Sequence, residues 1–203
     1  MDFLEICQKE NIDLHVHTWH SKDSLSDPKK IVEFAEKYKK IIAITDHNEI
    51  EGALEAKKID KENRIIVGEE IKTTDLGIEI LAYNIRKKID PGKAADIIRE
   101  IHSQGGVAVL SHPTRTGYIF KSFPKIIPPE IISEVDGVEV FNSRCSEKEN
   151  KKALELAGRH GKIETRGSDA HMIWEMKTME KNDIFLNLFK NLLTIVTRII
   201  KNF

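Results

Sequence analysis

Cysteine is nearly missing from this chain: there are two, Cys7 and Cys145, far apart and in no C-x-x-C pair. That excludes a disulfide framework and a thiolate zinc site, and makes a reducing, cytoplasmic setting the expectation. An excess of one charge sign is missing too, since 32 basic and 33 acidic residues give a formal charge of −1. No global field draws nucleic acid or an anionic membrane, so any phosphate recognition must be local. No apolar run approaches a membrane span, and Met1 to Glu10 carries acids instead of the charged-then-apolar order of a secretory signal. Also absent are G-x-S-x-G, a Cys/His signature, a P-loop and G-x-G-x-x-G, which leaves no candidate protein nucleophile. No repeat, low-complexity tract or linker interrupts the 203 residues, and one domain spanning 1–203 is the simplest division.

What is present is an alternation of short β-branched runs with helical stretches. The runs are Ile12 to Val16, Ile41 to Thr45, Ile65 to Val67, Ile78 to Ala82, Val107 to Leu110, Val138 to Phe141 and a weaker Ile163 to Arg166. Such alternation predicts an α/β fold with a parallel sheet. Ser26-Asp27-Pro28 opens a helix, Pro91 a second ending at Gly105-Gly106, and Glu147 to His160 a third stopping at Gly161. Lys121 to Pro129 reads as part of a long loop. Residues 183–203 carry an apolar helical stripe with Ile184, Leu188, Leu192, Ile195 and Ile199, expected to pack on the sheet or at a dimer contact, so the oligomeric state stays open.

The chemistry is carried by polar residues at the strand ends. His15 and His17 alternate along the first strand and share a face. Thr45-Asp46-His47, Gly68-Glu69-Glu70, Ser111-His112-Pro113 and Gly167-Ser168-Asp169-Ala170-His171 each follow an apolar run directly. In a parallel barrel the C-terminal strand ends converge on one mouth. So many imidazoles and carboxylates there would suffer repulsion and desolvation unless cations neutralised them. Histidine with carboxylate and no cysteine suits zinc, manganese or iron, and the donors are too many for one tetrahedral ion, so two or three divalent ions are expected.

These motifs, with Ser21 and Asp23 after His17, resemble the polymerase and histidinol phosphatase (PHP) family, and the resemblance runs from Asp13 to His171. It implies a distorted seven-stranded (β/α)7 barrel akin to the TIM barrel. Carried over position by position, it implies His15, His17, Glu70 and Asp169 around one ion and Asp23, His47 and His171 around a second. A third would use Glu70, His112 and Glu79, where many members have histidine in place of Glu79. Asp46, Arg144 and His171 are the candidate catalytic side chains, with Asp46 acting on a neighbouring ligand and Arg144 or Arg115 meeting phosphoryl charge. His102 and His160, near helix C-termini, are read as structural, whereas His20 lies within reach of substrate.

The function expected is hydrolysis of a phosphate mono- or diester of a small nucleotide or sugar phosphate, with water activated by metal. Trimming of DNA or RNA ends is a less favoured alternative, since no basic aromatic strip is visible. C–N bond hydrolysis and a metal-binding accessory domain without turnover complete the alternatives.

Overall fold

The computed structural model describes residues 2–116 and 126–178. The apolar stripe at 183–203 and most of the expected loop at 121–129 lie outside the described residues. Seven strands form one sheet in sequence order: β1 (Ile12–Val16), β2 (Ile41–Ile44), β3 (Ile65–Lys72), β4 (Glu79–Tyr83), β5 (Val107–Leu110), β6 (Gly137–Asn142) and β7 (Ile163–Gly167). The sheet curls until its first and last strands meet. Asp169 N–H donates to the His15 carbonyl at 2.8 Å and His17 N–H to the Ala170 carbonyl at 2.9 Å, stitching the extension of β1 to the segment after β7. The expected α/β barrel is thus the fold observed.

One part of the strand reading is corrected. The sheet is not wholly parallel, because β4 runs antiparallel to both β3 and β5. The reason is the length of the connection. Only residues 73–78 separate β3 from β4, whereas a parallel crossover needs a dozen or more residues. Thr73 N–H instead donates to the Ile78 carbonyl at 2.8 Å, with Gly77 at φ +62 in the turn. As a result the start of β4, and not its end, lies at the mouth formed by the ends of its neighbours.

Helices cover the outside. α1 (Phe3–Cys7) precedes β1, and its Phe3 ring stacks on Tyr83 at 4.9 Å, closing the end opposite the mouth with Ile6, Leu14, Leu81 and Val109. α2 (Pro28–Tyr38) begins as expected, with the Asp27 carboxylate accepting from Lys29 N–H and proline in the first turn; such a cap contributes about 1 kcal/mol. α3 (Glu51–Ile59) joins α2 over Val16, Ile42 and Ile44. α4 (Ala94–Ser103) starts three residues later than Pro91, since Ala94 N–H is tied to the Asp75 carboxylate at 3.1 Å and Lys93 is the N-cap. α5 (Pro129–Glu134) and α6 (Glu147–His160) follow, the latter opened by a Ser146/Glu149 capping box and ended by Gly161 at φ +60. Among the described residues no helix is long and apolar enough to cross a membrane.

Candidate metal centre

The mouth gathers the strand-end residues into one continuous patch. His17, His47 and His171 form an imidazole-rich group, with ring centroids 4.5 Å from His17 to His47 and 4.3 Å from His17 to His171. Asp23 lies between the last two, its Oδ2 3.5 Å from Nε2 of each. Next to them His15, His17 and Asp169 meet, with Asp169 Oδ1 3.4 Å from His17 Nε2 and 3.8 Å from His15 Nε2. Glu70 reaches across the patch: Oε2 lies 3.2 Å from His15 Nε2 and 3.1 Å from His47 Nδ1, and Oε1 lies 3.2 Å from His112 Nε2. Glu79 Oε2 is 3.7 Å from the same His112 nitrogen. All nine residues singled out as ligand candidates therefore fall in this patch, with Glu79 at its solvent edge.

Local chain geometry builds the patch. Glycine at 167 is required, because a Cβ there would collide with His15 Cβ and stand 2.8 Å from the His15 nitrogen. Asp169 and His112 hold left-handed backbone, φ +54 and +25, which only a surrounding framework sustains for residues with a Cβ. The Asp13 carboxylate, outside the patch, accepts from Ser168 N–H at 2.8 Å and fastens the seam. Asp46 is fully buried and accepts from Thr18 N–H and Oγ1–H, both at 2.6 Å, and from Ser21 Oγ–H at 2.9 Å. It thereby shapes the turn that carries Asp23.

Electrostatics make the donor set cation-seeking. Burial, then His171 and His47, push the His17 imidazole down to about 3, so its nitrogen stays a lone-pair donor. Burial opposes protonation of His15 and His47 as well, but Glu70 with Glu139 and Asp169 raises the first well above the usual range, and Glu70 with Asp23 raises the second to about 9. Against the same burial, the surrounding imidazoles hold Glu70 well below the ordinary carboxylate range, and His15, His17 and two arginines do so for Asp169. His15 Nε2, His17 Nε2, Asp23 Oδ1 and Glu70 Oε2 are buried without a hydrogen-bond partner. Orphaned polar atoms at such density are costly unless an ion binds them. The residues fit divalent metal.

The PHP domain model matches residues 13–104, which hold six of the nine patch residues. An uncharacterised protein of Methanocaldococcus jannaschii is 38% identical over 172 residues, covering 81% of this chain and 67% of its own. The chain belongs to the PHP family. Two solved structures are similar to this PHP domain in fold. One, described as a putative metal-dependent phosphoesterase from Bifidobacterium adolescentis, has a TM-score of 0.64 at 19% identity, covering 79% of this chain and 87% of its own. The other is a two-domain protein from Bacteroides vulgatus containing a predicted PHP-like metal-dependent phosphoesterase, with TM-score 0.62, 20% identity and coverage of 81% and 52%.

One expectation changes within this PHP domain. Arg144 does not reach the mouth: it is 2% exposed, its Nη2 donates to Glu175 at 2.9 and 3.1 Å, and its Nε donates to the Asp169 carbonyl at 2.6 Å. The turn after β6 folds beneath the 169–175 segment, so the guanidinium supports Asp169 from behind. Arg115 is the arginine at the mouth, 28% exposed with Nη1 3.0 Å from Asp169 Oδ2. His20 lines the adjoining cleft and pairs with Glu55 at 3.2 Å, and His102 pairs with Asp136 at 2.9 Å on the outer surface.

Two carboxylates that brace the patch escaped the sequence reading. Glu139 is 1% exposed, its Oε1 2.9 Å from His15 Nδ1, while Oε2 accepts from His112 N–H at 2.8 Å and Asn142 Nδ2 at 3.2 Å. A signal existed, because a glutamate between Val138 and Val140 in a buried strand demands a partner. Glu175 accepts from His171 N–H at 2.7 Å, Met172 N–H at 3.1 Å and Arg144, and no motif announces it.

Proposed function

We propose that this PHP domain is a metal-dependent hydrolase of phosphate mono- or diesters carried by a small molecule. The observation that carries the reading is the joint one of convergent, hydrogen-bond-orphaned imidazole and carboxylate atoms beside a cleft of about 490 Å³. The cleft is lined by Lys22, Lys72 and His20 as well as by Asp23, His47 and Glu79. Its volume suits a nucleotide- or sugar-sized ester, and Lys22 and Lys72 stand there among the carboxylates of Asp23, Glu49 and Glu79.

His15, His17, Asp23, His47, Glu70, Glu79, His112, Asp169 and His171 would hold two or three divalent ions, with zinc, manganese and iron the candidates. Bound there, such ions supply Lewis acidity and bring water toward a neutral pKa. The chain's own groups prepare for that role. Glu139 accepts the Nδ1 proton of His15 and so turns its Nε2 lone pair inward. The Asp169 carbonyl does the same for His171, whose Nδ1 lies at 2.9 Å. Arg115, fixed against Asp169, is placed to donate to phosphoryl oxygen at the mouth. His171, also expected as a catalytic side chain, turns Nε2 toward Asp23 at 3.5 Å as a ligand candidate, and with Nδ1 on the Asp169 carbonyl it keeps no nitrogen for carrying a proton to the leaving oxygen.

The test loads the chelator-stripped full chain separately with Zn²⁺, Mn²⁺ and Fe²⁺ and assays a panel of nucleotide and sugar phosphates, cyclic and linear diesters, oligonucleotides and amides. Release of phosphate or opening of a small diester, abolished by chelation and reduced at least about 100-fold in His17→Ala, is the expected outcome. Cleavage of oligonucleotides alone, or of amides alone, would replace this reading with a nuclease or an amidohydrolase. Tight metal binding without turnover of any ester would make the domain a non-catalytic metal module.

A further inference from the structure

We infer that Glu149, in the first turn of α6, is a positioning residue for phosphate binding: it clamps the chain on both sides of Arg115 and so holds that guanidinium at the mouth. The inference rests on the reading of Arg115 as a donor to phosphoryl oxygen and names what places it there. Arg115 is bracketed by two threonines, and both are tied to Glu149. The Thr114 hydroxyl donates to the Glu149 carbonyl at 2.7 Å, while Thr116 N–H and Oγ1–H both donate to Glu149 Oε1 at 2.6 Å. Between them Arg115 N–H donates to the His112 carbonyl at 3.1 Å, closing the turn that leaves β5. Thr114, Arg115 and Thr116 are thus fixed in succession, and Nη1 of the middle one donates to Asp169 Oδ2 at 3.0 Å.

Capping the helix does not by itself call for this arrangement. The capping box uses Oε2, which accepts from Ser146 N–H and Oγ–H at 2.8 Å each, and leaves Oε1 to Thr116. One buried carboxylate therefore serves two segments, the start of α6 and the chain beside the mouth. Arg115 needs such a hold. Its ion pair is made with a ligand candidate, Asp169, whose charge a bound cation would share, and a partly exposed pair does little to fix a long side chain. Bonds to the residues on either side persist whatever charge Asp169 carries. The same turn of α6 reaches Asp169 by a second route: Asn150 Oδ1 accepts from Asn142 N–H at 3.0 Å, and Asn142 Nδ2 lies 3.4 Å from Asp169 Oδ2. Oδ2 is thereby engaged from the α6 side, while Oδ1 faces His15 and His17.

The experiment measures binding of inorganic phosphate, by isothermal titration calorimetry, to the full chain loaded with Zn²⁺ and freed of excess metal. Arg115→Ala should weaken phosphate at least about tenfold, and Glu149→Ala and Thr116→Val at least about threefold each. Combined with Arg115→Ala, the same two changes should have no further effect on phosphate, because their action passes through the guanidinium. Ser146→Ala breaks the cap but leaves Oε1 on Thr116, so it should lower the unfolding midpoint and keep phosphate affinity within about twofold of wild type. Wild-type affinity in Glu149→Ala and Thr116→Val, or equal losses with and without Arg115, overturns the inference and leaves the phosphate site standing. So does a loss in Ser146→Ala as large as in Thr116→Val, which would make Glu149 a helix cap alone. If Glu149→Ala does not fold, Thr116→Val, at an exposed position, decides in its place. A wild-type chain that holds Zn²⁺ but no phosphate, or an Arg115→Ala chain that binds phosphate as wild type does, overturns the underlying reading of the site and the inference with it.

Discussion

Replacing Glu139 by glutamine tests how the centre is held, because the change keeps shape and removes only charge and acceptor symmetry. Both carboxylate oxygens are in use: Oε1 faces His15 Nδ1 at 2.9 Å, and Oε2 accepts from His112 N–H at 2.8 Å and Asn142 Nδ2 at 3.2 Å. A glutamine amide can satisfy only one side. If its oxygen faces His15, its NH₂ opposes the His112 and Asn142 donors, and buried donors go unpaired at a cost of about 1–3 kcal/mol. If the amide flips, its NH₂ meets His15 Nδ1 and drives the imidazole proton to Nε2, the atom that faces Glu70 and Asp169. The lone pair needed for a metal is then lost. Either orientation should therefore weaken metal binding by about 10- to 100-fold, the range found when a partner behind a ligating histidine is removed. Zn²⁺ affinity is measured by competition with a chromophoric chelator, and stability of the stripped chain by urea unfolding. A glutamine variant matching wild type in both measurements would refute the assignment of Glu139 as the residue that fixes the His15 tautomer.

Two further predictions address packing and pH. Gly167→Ala should destabilise the chain by about 1–3 kcal/mol and displace His15, since no flexible side chain but the backbone and Cβ of His15 occupies the space a methyl would need; thermal unfolding and Zn²⁺ affinity should fall together, and a loss of stability alone would separate the glycine from the site. Glu69 concerns the opposite face of β3. Burial, against help from the Ile89 N–H and Lys88, pushes its carboxyl up from 4.5 to about 7. Between those values the folded chain holds a proton that the unfolded chain has released, so stability falls as pH rises through the window and stays lowered above it. Glu69→Gln, which can still accept from Ile89 N–H, should match wild type near pH 4 and exceed it by about 1–3 kcal/mol at pH 8 in urea unfolding. A difference independent of pH would show that Glu69 is not protonated in the folded chain.

The barrel and the ligand patch were legible because their determinants are local. A short apolar run followed by histidine, aspartate or glutamate states both a strand and what lies at its tip, as at β2, β3 and β5, while β1 carries His15 within the strand and the weakly apolar β7 is followed by Asp169 and His171. What the sequence concealed depends on contacts across the fold. Glu139 and His15 stand 124 positions apart, and Arg144 and Glu175 stand 31 apart. No spacing rule connects such pairs, and only burial makes their carboxylates and guanidinium find one another. Of the two arginines expected at the mouth, Arg144 therefore turns under the 169–175 segment, while Arg115 leans over Asp169 at the mouth.

The reversal of β4 shows how closely the two kinds of information are joined. Had β4 been parallel, its first residue would lie at the closed end, beside α1, and Glu79 would be a charge buried away from His112 and Glu70. The hairpin across residues 73–78 inverts the strand, and the residue that opens it arrives next to His112. A short connection thus decides that a glutamate becomes part of a metal-binding patch. A test of this logic needs no new chemistry: whatever lengthens that turn enough to loosen the Thr73–Ile78 closure should release Glu79 from the patch while leaving the imidazole-rich end in place, because His17 and His171 are held by β1 and the segment after β7, and His47 pairs with Glu70 within β3, short of the turn.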